Sequence, residues 1–151
     1  MLEWEFLLNQ DKQYFSKEVP FEIREDILRR NASANMSDVE RAIFFGLPDG
    51  CRIRENAKII AKENLNIGEH CWIGEGAILD ASGGLTIGAH TSIGLNVFVW
   101  THDSHSLNIR GKNTREASQL IKRKPTKIGE RCFIAGPSVI LAGVTIGDKC
   151  I

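Results

Sequence analysis

Residues 67–99 read Ile67-Gly-Glu-His-Cys-Trp-Ile73-Gly-Glu-Gly-Ala-Ile-Leu79-Asp-Ala-Ser-Gly-Gly-Leu-Thr-Ile87-Gly-Ala-His-Thr-Ser-Ile93-Gly-Leu-Asn-Val-Phe-Val99. An aliphatic residue recurs every six positions, and the set of three begins again after twenty. Leu47, Ile53 and Ile59 form an earlier set, and Ile128, Ile134, Ile140 and Ile146 a later one. A fixed six-residue period is the signature of a parallel β-helix, and it outranks local signals. Alternation along a strand lets i and i+2 share a face, so each hexad points its aliphatic residue inward. The inward companion at i+4 must be small, and Ala57, Ala77, Val97 and Ser138 stand there. The intervening glycines and polar residues are expected to turn the corners and face water, glycine through its backbone freedom. Three hexads make a triangular turn. Two extra residues on the third side, as in Asp80-Ala-Ser-Gly-Gly-Leu85-Thr86, account for the period of twenty. A β-sandwich also has short apolar runs and Gly turns, but it would not keep one register through three coils and recover it after an insertion.

The four cysteines fall into the same pattern. Cys51, Cys71, Cys132 and Cys150 occupy the small position of one column, and Thr91 fills the missing rung. No CxxC or Cys/His zinc spacing is present, so no metal site is expected. Cys51 and Cys71 come near enough in such a stack to bridge. Buried free thiols in a reduced protein are the simpler reading, and with no basic leader and no membrane-length apolar run the expected location is the cytoplasm.

The chain has 151 residues, no formal net charge and 42% hydrophobic residues, which fits a single soluble domain. Residues 1–46 do not follow the hexad rule and are expected to form a helical cap over the unpaired edge of the first coil. Ser37-Asp-Val-Glu40 is a capping box ahead of a helix over Ser37–Phe45, stopped by Gly46. Phe21–Arg30 reads as another helix. Residues 47–151 are assigned to the β-helix. Ile146-Gly-Asp-Lys-Cys-Ile151 is one hexad of a further coil, so the chain is expected to be truncated.

The ladder breaks once. After Val99 the next coil is due near Leu107, yet it begins at Ile128, which places an inserted loop over about 103–127. Leu107 to Lys127 carries seven basic residues, Arg110, Lys112, Arg115, Lys122, Arg123, Lys124 and Lys127, against Glu116 alone. Such an excess in a neutral protein suggests an anionic partner, but the segment is too short and too poor in aromatics for a nucleic-acid site. Val99-Trp-Thr-His102-Asp-Ser-His105 stands immediately before it. His70 and His90 fall on one outer corner and read as surface residues. His102 and His105 leave the coil where a loop departs, which is where chemistry collects on a rigid scaffold.

Ile87 to His102, the basic loop, and Lys127 to Gly147, with its closing Gly143-Val-Thr-Ile-Gly147, together resemble the hexapeptide-repeat left-handed β-helix acyltransferases, such as the maltose, galactoside and polysaccharide O-acetyltransferases. The resemblance spans roughly residues 50 to 151 and supplies the left hand of the coil. It implies a homotrimer, with acetyl-CoA as co-substrate in clefts between subunits, a small-molecule sugar acceptor, and neither nucleic acid nor membrane as partner. It places His102 at the catalytic base. Phe133 falls where an aromatic residue flanks the pantetheine arm, and Gly136 and Ala142 lie on coils that line it. Lys122, Arg123 and Lys124 are candidates for the CoA phosphates; His105, Trp100 and Ser82 are candidates for the acceptor. The acidic and amide residues that grip the sugar in galactoside-type members are replaced by Gly74 and Ser82.

Histidine suits the chemistry because a free imidazole, with a pKa of about 6.5, can take a hydroxyl proton and return it at neutral pH. Asp103 is a candidate to orient an imidazole. The activity implied is transfer of acetyl to a hydroxyl of a sugar or polysaccharide precursor. Alternatives are a non-catalytic trimeric scaffold, an N-acetyltransferase acting on an amino sugar, and a γ-type carbonic anhydrase using His90, His102 and His105 around zinc.

Overall fold

A computed structural model of the chain describes residues 33–112 and 117–151. The chain divides into two units, Met1–Met36 and Ser37–Ile151. The described part of the first is one short 3-10 turn, Ser33–Asn35, and the helix expected over Phe21–Arg30 lies outside the described residues. Among the described residues no helix is long and apolar enough to cross a membrane.

The second unit is a parallel β-helix. Fourteen short strands are described, and twelve of them form three four-stranded sheets whose neighbours come from successive coils. The first side stacks β1 (Arg52–Ile53), β4 (Trp72–Ile73), β7 (Ser92–Ile93) and β12 (Phe133–Ile134). The second stacks β2 (Lys58–Ile60), β5 (Ile78–Asp80), β8 (Phe98–Val99) and β13 (Val139–Ile140). The third stacks β3 (Leu65–Ile67), β6 (Leu85–Ile87), β11 (Thr126–Ile128) and β14 (Thr145–Ile146). The register places like on like: Ile53, Ile73, Ile93 and Ile134 are successive partners. Ile59, Leu79, Val99 and Ile140 form the second column. Ile67, Ile87, Ile128 and Ile146 form the third. All of these except Ile146 are buried, and together they are the core.

The glycines after the aliphatic residues serve a different purpose from the one expected. Gly68, Gly74, Gly88, Gly94 and Gly129 are not in the left-handed region. A Cβ on Gly88 would instead run into the Gly129–Glu130 backbone of the next coil. These positions need the absence of a side chain, because neighbouring coils approach backbone to backbone there. The left-handed corner angles fall largely on the polar residues expected there, among them Asn56, His70, His90, Asn96 and Arg131. His70 and His90 are exposed and stack with ring centroids 5.0 Å apart, as expected for a shared outer corner.

The cysteine column is held by hydrogen bonds. Cys51 Sγ donates to the Gly68 carbonyl, Cys71 to Gly88 and Cys132 to Gly147. Thr91 Oγ1 donates to Gly129 at 2.8 Å and accepts from the Cys132 N–H. Each side chain therefore ties its own coil to the next. All four cysteines are free, and burial pushes the Cys71 thiol up to about 11, which leaves it protonated and unreactive at neutral pH. Thr91→Val keeps the shape but strands the buried Cys132 N–H and the Gly129 carbonyl. It is expected to cost about 1–3 kcal/mol, read as a lower urea midpoint; an unchanged midpoint would show that the rung contributes nothing.

Helix α1 (Asp38–Phe44) begins with the expected capping box: the Glu40 N–H reaches the Ser37 side chain, and the Glu40 carboxylate accepts from the Ser37 N–H at 2.8 Å. It covers the open edge of the first coil, with Ala42 and Phe45 joining the core. Arg41, 2% exposed, donates through Nη1 to the Ile53 carbonyl at 2.6 Å. That carbonyl belongs to the lowest strand of its sheet, and the guanidinium takes the place of a further strand.

Candidate active site

The insertion is an ordered excursion from the coil. After β8 the chain makes β9 (His102–Asp103), helix α2 (His105–Ile109) and, after residues outside the description, β10 (Lys122–Arg123). β9 and β10 pair antiparallel, with Asp103 opposite Lys122 and His102 opposite Arg123. Leu107 is fully buried and anchors the helix. At the base of the excursion Thr126 Oγ1 donates to the Trp100 carbonyl at 2.8 Å and accepts from the Gly143 N–H. The Lys124 N–H meets the Thr101 carbonyl at 2.9 Å. The loop is thus tied to the rigid prism on both sides.

His102 is held by Asp80. The His102 Nδ1–H lies 2.7 Å from Asp80 Oδ2, and Asp80 is fully buried. The same oxygen accepts from the Thr101 N–H at 2.9 Å and from Thr101 Oγ1 at 3.1 Å, while Oδ1 accepts from the Ser82 N–H at 3.0 Å. Burial raises the carboxyl, but the N–H groups of Thr101 and Ser82, with the Ser82 and His102 side chains, outweigh it and bring Asp80 down to about 2. Asp80 is therefore an anion at any physiological pH and can only accept. The imidazole must donate through Nδ1, which leaves Nε2 with its lone pair in the neutral ring. Ser82 Oγ lies 3.3 Å from the same Nδ1, on the side of the ring that Asp80 holds. Trp100 meets the imidazole edge to face at 5.9 Å between centroids. Gly83 closes the clamp: its N–H donates to Thr101 Oγ1 at 2.7 Å, and a Cβ there would strike the Thr101 carbonyl.

Asp103 takes a different partner from the one that matters most. It accepts from the His105 N–H at 2.9 Å and from the His105 imidazole, and those two donors hold its carboxyl below the usual range, with Lys122 adding to the effect. His105 is thereby oriented as a second imidazole, more exposed than His102.

A cavity of about 820 Å³ opens beside this pair, within the size range of small-molecule sites. The coil and β9 give it Trp100 and His102; α2 gives His105 and Asn108; the return strand gives Lys122 and Lys124; the last full coil gives Leu141 and Ala142. The candidates Trp100, His102, His105, Lys122, Lys124 and Ala142 are thus brought together, and Ser82 backs the imidazole. Three are not. Arg123, between the two lysines, does not line the cavity because neighbouring strand residues face opposite ways. Phe133, 49% exposed, lies on the first side of the prism, and Gly136 in the turn beyond β12. Within one chain neither reaches His102's cavity. His90 stands at the corner with His70, apart from His102 and His105.

Sequence reasoning missed Asp80, Thr101 and Thr126. Asp80 opens an Asx turn with the Ser82 N–H, a local signal that can be read from Asp80-Ala-Ser-Gly. Its bond to His102 spans 22 residues and has no such signal.

Residues 125–151 match the family model of the hexapeptide repeat of succinyl-transferase. A crystal structure of a hexapeptide-repeat-containing acetyltransferase from Vibrio cholerae O1 biovar eltor, complexed with acetyl-coenzyme A, is similar to the chain. The similarity has a TM-score of 0.63 and 28% sequence identity, over 85% of this chain and 71% of that one. No curated protein matches the chain in sequence. The column register, the single excursion carrying His102 and these two similarities lead to one conclusion: the chain is a left-handed β-helix of hexapeptide repeats, similar in fold and sequence to a hexapeptide-repeat acetyltransferase.

Proposed function

We propose that the protein is an acetyl-CoA-dependent O-acetyltransferase that acetylates a hydroxyl of a sugar or polysaccharide precursor, with His102 as general base. The observation that carries this reading is the His102–Asp80 pair at the cavity: a buried anion fixes one imidazole nitrogen as a donor and leaves the other basic. His102 Nε2 takes the proton from the acceptor hydroxyl as its oxygen bonds to the thioester carbonyl carbon. Asp80 stabilises the imidazolium that forms. His102 then returns the proton to the sulfur as the carbon–sulfur bond breaks, so that free thiol and ester leave together. Trp100 offers an aromatic face to a sugar ring.

The working form is a homotrimer with each cavity shared between neighbours. Val139 and Leu141 are 58% and 64% exposed on the side of the prism that carries His102. A row of apolar side chains beside a site is what a second copy would cover. Phe133 and Gly136, remote from His102 of their own chain, would line the CoA arm in the neighbour's cleft.

The reading is tested by thiol release from acetyl-CoA against a panel of sugars and amino sugars, with the product identified. Acceptor-dependent thiol release with an ester product is expected. Amide products alone would move the assignment to N-acetylation. No heat on titrating CoA into the protein would point to a non-catalytic scaffold.

A further inference from the structure

The cavity contains more positive charge than acyl transfer to a neutral hydroxyl requires. Of the basic residues in the insertion, Lys122 and Lys124 line it. Among the described residues neither ammonium has an ion-pair partner. Among the described residues the one carboxylate on the cavity wall, Asp103, is committed to the His105 N–H and imidazole. Lys122 faces Asp103 across the β9–β10 ladder and is partly balanced by it; Lys124 has no such counterpart.

Both lysines are also placed with care. Lys122 stands in β10, which is paired to the strand that bears His102, so its backbone lies about 5 Å from that strand. The Lys124 N–H is fixed to the Thr101 carbonyl at 2.9 Å, one residue from the base. The Lys124 stem lies over Gly143, which has φ +85 and where a Cβ would stand 3.1 Å from Lys124 Cδ. A stem packed on the coil directs its ammonium rather than leaving it to wander in solvent. The cavity thus combines Trp100 and Leu141 with two cations beside an imidazole, Lys124 packed on the coil through its stem and Lys122 partly balanced by Asp103.

We propose that Lys122 and Lys124 form an anion subsite for the acceptor, so that the hydroxyl presented to His102 belongs to a small molecule bearing a phosphate or carboxylate. This rests on the transferase reading above and names its substrate class. The lysines hold the anionic group while Trp100 and Leu141 take the apolar face, and the hydroxyl is delivered to Nε2 by the geometry between them. Proton and acyl bookkeeping are those already given; the anion takes no part in the bond changes.

The test follows the imidazole resonances of His102 and His105 while glucose, glucose 1-phosphate or glucuronate is added, with and without saturating CoA. The phosphate or the uronate is expected to shift both resonances at concentrations where glucose does not, and to do so with CoA already bound. Lys124→Met should weaken that response about tenfold or more, the worth of one charge-assisted hydrogen bond, with Lys122→Met smaller and Lys124→Arg restoring most of it. CoA affinity should stay unchanged in all three variants. Equal responses to the three sugars, or none, would overturn the proposal. So would a loss of CoA affinity in Lys124→Met, since the lysines would then belong to the nucleotide phosphates. If wild-type protein binds no CoA, the transferase reading fails by itself, and the titrations without CoA still decide whether the anion subsite exists.

Discussion

His102→Ala is expected to lower kcat by about 10²- to 10⁴-fold, the range that a positioned general base contributes, while CoA binding measured by calorimetry stays close to wild type. The ring is 32% exposed and faces a cavity, so its removal opens no hole in the prism and the loss reports on chemistry. His105→Ala supplies the comparison. It removes the imidazole held by the exposed Asp103 and should change acceptor KM more than kcat. If His102→Ala retains its rate and His105→Ala does not, the base has been assigned to the wrong ring.

Asp80→Asn is the second large effect, and it acts on both rate and stability. The amide keeps the volume but has only one accepting oxygen, whereas Asp80 now serves the Thr101 N–H, Thr101 Oγ1, the Ser82 N–H and His102 Nδ1. The imidazole loses the anion that fixes its tautomer and stabilises its protonated form. A kcat loss of about 10- to 100-fold is expected, in line with removal of an orienting partner behind a reactive histidine. A structural role alone would not move the pH–rate profile. Loss of the anion should shift its acidic limb, on which the general base gains its free lone pair, to lower pH, because imidazolium no longer has its counter-charge.

The stability effect has a defined pH window. The folded state holds the Asp80 carboxyl at about 2, below its ordinary value, so the unfolded chain takes up this proton first. The contribution is complete above about pH 4 and is lost as pH falls toward 2, with a size of about 2 kcal/mol. Denaturant midpoints of wild type and Asp80→Asn should therefore converge between pH 4 and 2. Curves that remain parallel there would show that Asp80 is not held as an anion.

The core columns were legible because every inward position repeats at a fixed spacing and each coil pairs with the next, so the period alone fixes the register. The capping box at Ser37 was legible because it is local. The reason for the glycines was not. Backbone angle and backbone approach both select glycine, and a single sequence does not separate them; only the stacked coils reveal that Gly88 faces Gly129 and Glu130. His102 could be picked out as the residue at which the ladder breaks. Its orienting partner could not. Asp103 is adjacent in sequence, but its turn directs it to His105.

The repeat by itself determined the prism, its three columns and the point of departure, because stacking reads only the spacing of apolar and small residues. Tertiary structure decided which groups meet at that departure. Strand alternation turns Asp80 outward from the column of Leu79, and it is the insertion, closing over it from 22 residues away, that buries the carboxylate and gives it an imidazole to hold. Contacts made by a loop folding back on a rigid face obey no period, so they exist only once the chain has closed.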